Sequence, residues 1–152
     1  MGYFPFFMDI KGKMGLIVGG GRLAAHKVEK FLPFEPVLMV VAPDIQGALL
    51  ENKQLICQER EFMDTDVDGK MFVIAASDNR EVNQHVANLC RQRNILVNVI
   101  DDKMACQFLF PALVKEGKLT VGISTEGASP QTAAFLRSQI AAALPVKMEE
   151  IL

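Results

Sequence analysis

Apolar residues in this chain fall into short uninterrupted runs, separated by stretches in which they recur every three or four positions. Lys13 to Gly21 reads as a short apolar strand running into a glycine turn. Helical periodicity follows, with Leu23, Val28, Phe31 and Leu32 as the apolar stripe, and Pro33 and Pro36 end that helix. Val37 to Ala42 is apolar throughout, as strands covered on both faces tend to be. The pattern then predicts a short helix over Ile45 to Glu51, a weak strand over Gln54 to Gln58, and a stronger one over Met71 to Ala76. Asn79 to Arg93 is amphipathic, with Val82, Val86 and Leu89 inward and Arg80, Glu81, Gln84 and Arg91 outward. Asn94 stands where a helix C-cap belongs. Ile95 to Ile100 is a further strand. This rhythm of strand and helix predicts an α/β fold, a Rossmann-like mostly parallel sheet with right-handed crossovers.

After Asp102 the rhythm changes. Gln107 to Val114 and Leu119 to Ser124 are β-like segments around Glu116 to Lys118, the pattern of an antiparallel hairpin. Thr125 to Pro130 reads as a loop, with Ser129 as helix cap and Pro130 at the first helical position. The helix is expected to run to about Ala143, before Pro145. We expect a sheet domain over 1–112 and a small hairpin-plus-helix segment over 113–152. The latter is near the lower limit for folding alone, so it must pack on the sheet domain or on a second subunit.

Half of the 152 residues are hydrophobic and 22% are charged, enough for a packed core and unlike a disordered chain. The net charge of −2 argues against a nucleic-acid protein held by bulk positive charge. No apolar run approaches the roughly 18 residues of a membrane span. Asp9 interrupts Tyr3 to Met8 early, so no signal peptide is expected. Cys57, Cys90 and Cys106 are odd in number and far apart, with no CxxC and no zinc-finger spacing. They read as reduced, buried thiols in a cytoplasmic protein, and no metal site is expected. His26 and His85 lie on predicted helices away from other ligand-type residues and read as structural or surface groups.

The main chemical signal is Gly19-Gly20-Gly21-Arg22-Leu23-Ala24, a G-x-G-x-x-A between a strand and a helix. Gly19 permits the tight turn, Gly21 lets a pyrophosphate approach the backbone, and Ala24 lets the helix lie close to the sheet. The helix start, at Arg22 and Leu23, presents free N–H groups to the phosphates. A glycine turn serving only close packing is the alternative. Asp44 follows Gly21 by 23 residues, close to the roughly 20 expected for a ribose-binding acid. Pro43 before it can place the carboxylate differently, and a helix N-cap is its other reading. No arginine stands beside Asp44 to receive a 2′-phosphate, which favours NAD over NADP. Ala76 and Ser77 end a predicted parallel strand and leave room for a ligand, while Ser77 or Asp78 could equally cap the next helix.

Taken together these segments resemble the precorrin-2 dehydrogenase family, the dehydrogenase part of siroheme synthases. The resemblance lies in Ile17 to Gly21 with Ala24 and Lys27, then Ala75 to Asp78 with Val82 and Asn83. It continues in Asn98 to Asp101 with Phe108 and Pro111, and in Ser124 to Pro130. It implies a homodimer that uses NAD to take two hydrogens from precorrin-2, a reduced tetrapyrrole, giving sirohydrochlorin; some members also insert ferrous iron. It implies that Asp101 is the acid/base carboxylate. Its neighbour Asp102 would point elsewhere if the chain is extended there. The substrate's own carboxylates call for basic or N–H-rich partners. Arg22, Lys103 and Arg137 are candidates, as is an anion-binding turn of Ser124, Ser129 and the backbone between them.

Two features depart from the family pattern. Pro33 to Pro36 replaces the glycine-containing turn usual between helix and strand. The sequence ends at Leu152, so the family's further helical segment is expected to be absent or to lie on a different chain, and no methyltransferase domain is expected. The competing reading is a non-catalytic module that holds NAD or a tetrapyrrole for a partner chain. A redox-sensing regulator is a third, but no DNA-binding element is visible.

Overall fold

The computed structural model describes residues 2–144. The chain divides into two compact units, Met8–Phe108 and a smaller one made of Met1–Phe7 with Leu109–Leu152. Where the sequence suggests a boundary at 112/113, the division falls after Phe108, and the first seven residues go with the second unit.

The first unit is a five-stranded parallel sheet. Its strands are β1 (Met14–Val18), β2 (Val37–Ala42), β3 (Leu55–Glu59), β4 (Phe72–Ala75) and β5 (Leu96–Val99), in the order β3-β2-β1-β4-β5. The helices are α1 (Arg22–Phe31), α2 (Gly47–Leu50) and α3 (Arg80–Gln92). The central strands are apolar at every position because both faces are covered. Leu16, Ile17, Val40, Val41, Val73, Ile74 and Val97 are all fully buried. Val86, Ala87 and Cys90 of α3 close the core from one side, and Ala24 and Val28 of α1 are buried too. Burial pushes the Cys90 thiol up to about 11. All three cysteines are free thiols.

Several boundaries move for identifiable reasons. The helix expected over Ile45 to Glu51 shrinks to α2, because Ile45 is buried beneath the glycine turn instead of joining a helical stripe. Glu35, not a glycine, takes the left-handed position in the turn from Pro33 to Pro36 (φ 55°), and its carboxylate is paired with Lys11. The segment between β3 and β4 holds a 3-10 turn, Asp64–Val67, that periodicity does not predict. It is held by buried Asp66, which receives both ends of the Arg60 guanidinium at 2.8 and 2.7 Å and the Met63 amide at 2.8 Å. These bonds hold the Asp66 carboxyl below the usual carboxylate range, the Arg60 bond most strongly. The strand expected from Gln107 begins only at Ala112. Gln107 still pairs with Val97 through its amide and side-chain oxygen, and Pro111, which has no N–H, stands just before the new strand.

The second unit contains an antiparallel pair, β6 (Ala112–Glu116) and β7 (Leu119–Ile123), and a helix, α4 (Pro130–Ala143). Gly117 opens the two-residue loop with φ 53°. Ser129 caps α4 by accepting the Thr132 amide, as expected, with Pro130 in the first turn. Among the described residues of this unit only Val114 and Ala133 are buried, while Phe4, Phe6, Phe7 and Phe135 are each more than 60% exposed. The expected terminator Pro145 lies outside the described residues. No helix among the described residues is long and apolar enough to cross a membrane.

Candidate functional site

The strand register puts Val18, Val41, Ala75 and Val99 on one level at the carboxyl edge of the sheet. Past that level the chain leaves in four turns, at Gly19, Pro43, Ala76 and Ile100. The strand order reverses between β1 and β4, which makes this edge the switch point where parallel α/β sheets bind ligands.

The three glycines of the first turn serve different purposes. Gly19 has φ 130°, and a Cβ there would lie 2.2 Å from the Ala76 carbonyl oxygen, so no other residue fits. Gly20 is pressed against the β2–α2 connection. Its Cβ would meet the Asp44 carbonyl oxygen at 2.2 Å and the Ile45 Cα at 2.7 Å, and the Gln46 amide bonds to the Gly20 carbonyl at 2.9 Å. The G-x-G-x-x-A pattern leaves Gly20 as a free position, but it is as tightly enclosed as Gly19. Gly21 meets nothing within 4 Å. It begins α1 with no side-chain cap and no acidic residue in the first turn, and Ala25 is the first amide to bond back to it. The amides of Arg22, Leu23 and Ala24 and the positive end of the helix therefore face an open cradle, the arrangement a pyrophosphate requires.

Two clefts flank this turn and meet at Ser77. The first, about 380 Å³, lies on the β5 side and is lined by Leu23, Asp78, Arg80, Asn83, Gln84 and Val99 to Asp102 as well as Ser77. The second, about 440 Å³, lies on the β2 side. It runs from Val18 and Gly19 past Val41 to Pro43 toward Glu61, Phe62, Asp64 and His85. Pro43 lines it; Asp44 does not. Asp44 is exposed, and it does not cap α2, whose N-cap position is Gln46.

The turn after β4 is fixed by α3. Asn79 is the helix cap, accepting the Glu81 amide at 2.9 Å, so neither Ser77 nor Asp78 has that role. Buried Asn83 accepts the Ser77 amide at 3.0 Å and donates to the Ser77 carbonyl at 2.8 Å. This clamp holds Ala76 and Ser77 against the glycine turn.

After β5 the two aspartates separate by function. Asp102 accepts the Ala105 amide at 3.1 Å and caps the turn Lys103–Ala105. Asp101 is exposed, and its carboxylate has no such capping role. The backbone here is not extended: Asp101 has φ 61°, a left-handed conformation that carries strain outside glycine. The condition for Asp102 to point elsewhere, an extended chain, is not met, and both aspartates are among the residues lining this cleft. Beneath them Cys106 Sγ bonds to the Val99 amide and carbonyl, each at 3.2 Å, and burial pushes its thiol up. Burial, reinforced by Lys30, pushes the Lys27 ammonium down to about 8, against the pull of Cys106 and Asp101.

Lys103 is exposed on the first unit, and Ser124, Ser129 and Arg137 belong to the second. In the second unit the Ser124 hydroxyl accepts the Glu126 amide at 3.1 Å. The amides of Ala128 and Ser129 are bonded to Thr125. These N–H groups hold the turn's own shape. Periodicity and motif spacing do not single out Glu61 or Phe62 as lining residues, nor the clamp that Asn83 makes. Arg80 is visible in the sequence only as an exposed position of an amphipathic helix, and Asn83 only as part of the family resemblance. Among the described residues no group of three or more His, Cys, Asp and Glu stands together as a metal site.

Residues 6–112 match a family model described as "Putative NAD(P)-binding". The chain belongs to this NAD(P)-binding family. It is also similar to siroheme synthases. It is 38% identical over 148 residues to that of Photorhabdus laumondii, covering 95% of this chain and 32% of the relative. It is 36% identical over 157 residues to that of Zymomonas mobilis, covering 99% and 33%. The chain thus spans about a third of the length of the curated relatives it matches. Its fold matches a solved structure titled SirC, precorrin-2 dehydrogenase, with a TM-score of 0.80 and 24% identity, over 97% of this chain and 74% of that one.

Proposed function

We propose that this chain is an NAD-dependent dehydrogenase that oxidises precorrin-2 to sirohydrochlorin. The observation that carries the reading is the sheet edge: an open glycine turn at the start of α1 beside a cleft lined by the exposed Asp101. The names of the similar proteins supply the substrate. Gly19, Gly20, Gly21, Arg22 and Leu23 hold the pyrophosphate. Pro43 stands at the adenosine ribose with Asp44 next in the chain but outside the cleft lining, and Ala76 and Ser77 lie under the middle of the dinucleotide. NAD held there supplies the hydride acceptor for one of the two hydrogens. The second hydrogen leaves as a proton, and Asp101 takes it at a carboxylate oxygen or holds the macrocycle so that it departs. Asp102 is engaged as a cap and supports the turn that aims Asp101. In the first unit Arg22 and Lys103 are the groups proposed to meet the substrate's carboxylates; in the second, taken by itself, Ser124, Ser129 and Arg137 are the candidates for the same chemistry.

We also propose that the protein works as a homodimer in the cytoplasm. A hairpin and helix with only Val114 and Ala133 buried among the described residues, and with Phe135 exposed, call for a partner surface, and the three thiols are free. The test is turnover of precorrin-2 with NAD by the wild-type chain and by Asp101→Asn. The reading predicts NADH from the wild type, and from the variant a rate at least about 100-fold lower with NAD still bound. Equal rates would remove Asp101 from the chemistry.

A further inference from the structure

The loop from Arg60 to Asp64 is built where periodicity predicts nothing, and the dinucleotide reading so far gives it no role. We propose that this loop is the specificity wall of the adenosine half-site, with Phe62 against the adenine and Glu61 excluding a 2′-phosphate. The inference rests on the reading of the edge as an NAD site.

The adenosine half lies toward β2, since the residues after that strand read the ribose. The cleft on that side is continuous from Gly19 through Pro43 to Phe62. Phe62 is half-buried, its inner part packed on the core, and it lies edge-on to the His85 ring at 6.2 Å between centroids. This gives the cleft one aromatic wall. Its charged lining is carboxylate, from Glu61, Asp64 and Glu81, with no lysine or arginine among the lining residues. The nearby groups that could receive a phosphate, Arg60, His85 and Arg93, are each bonded to neighbours, Arg93 to Asp68 and the Asp64 carbonyl. Arg60 binds Asp66 through two nitrogens and the Glu61 carbonyl at 2.9 Å. His85 Nε2 is 2.6 Å from Asp64 Oδ1. Asp44, expected to read the ribose, lies outside the cleft lining, so discrimination falls to Glu61. The loop is tied down at its far end: Asp66 anchors it through Arg60, and Arg93 holds the Asp64 carbonyl at 3.0 Å. A nucleotide with an added phosphate dianion would meet fixed negative charge with no cation in the lining to offset it.

The test measures dissociation constants of NAD, NADP and AMP for the wild type, Glu61→Lys and Phe62→Ala. Glu61 is exposed, so its replacement leaves the fold intact even if Phe62→Ala destabilises the chain. The proposal predicts that Glu61→Lys shifts the NADP-to-NAD affinity ratio at least about tenfold toward NADP. It predicts that folded Phe62→Ala loses about five- to tenfold in affinity for NAD and AMP alike. A Glu61→Lys ratio within about twofold of the wild-type value overturns the proposal, as does an unchanged AMP affinity in Phe62→Ala. A wild-type chain that binds neither NAD nor AMP would overturn the dinucleotide reading and this inference with it.

Discussion

Replacing Gly21 by alanine separates binding from folding. The added methyl meets nothing within 4 Å, and the backbone at φ −87° accepts any L-residue. Alanine is a clearly poorer N-cap than glycine, but it also loses less freedom on folding, and the two effects largely offset. The net stability change should stay within about 0.5 kcal/mol. The methyl occupies the space through which a pyrophosphate reaches the first-turn amides. Hydrogen bonds to a charged group contribute about 1.5–3 kcal/mol each, so losing one raises the Kd for NAD about 10- to 100-fold. Gly20→Ala is the contrasting variant. Its methyl would sit 2.2 Å from one backbone atom and 2.7 Å from another, and the bond from the Gln46 amide would be displaced. Overpacking of this kind costs about 1–3 kcal/mol, with about 1 kcal/mol more for the bond. Isothermal titration with NAD and urea denaturation read the two effects separately. A Gly21→Ala protein that binds NAD as tightly as the wild type would refute the assignment of the open cradle to the pyrophosphate. So would one destabilised as much as Gly20→Ala.

Other outcomes follow from the same geometry. Asp66→Ala leaves a partly exposed Arg60 behind and should cost about 2–3 kcal/mol, read as a drop of about 5–10 °C in Tm. Because the folded-state pKa of Asp66 is depressed, its contribution is fully present above the unfolded carboxylate value near 4 and is lost as pH falls through the lower folded value. Asp66→Asn should therefore flatten the acid limb of the stability curve, and an unchanged limb would show that other carboxylates set it. Asp102→Ala should destabilise the turn after β5 by about 1 kcal/mol through loss of its cap, while retaining far more turnover than Asp101→Asn. Light scattering at working concentration should give twice the chain mass, and a monomer would contradict the dimer proposal.

The sheet was legible because its central strands are covered on both faces. Leu16 to Val18, Val37 to Ala42 and Val73 to Ala75 are unbroken apolar runs that a buried parallel strand explains. The glycine turn was legible because Gly19 needs its positive φ and Gly20 its close packing, and both stand beside Gly21 in a G-x-G-x-x-A between a strand and a helix. What stayed hidden depends on long-range partners. The turn Asp64–Val67 exists through Arg60, Asp66 and Arg93, with partners 25 to 29 residues apart at the longest. No local pattern announces it. The distinction between Asp101 and Asp102 needed the left-handed φ at Asp101, which alternation along an assumed strand missed. Gln107 reads as strand by composition, yet it uses its side-chain oxygen where a carbonyl would be expected.

The most direct measurement is anaerobic incubation of the purified chain with precorrin-2 and NAD, in the absence of metal, following NADH absorbance and the tetrapyrrole spectrum together. One NADH is expected for each sirohydrochlorin formed, from this chain alone. NAD binding without any change in the tetrapyrrole spectrum would contradict the dehydrogenase and leave a dinucleotide-holding module in its place.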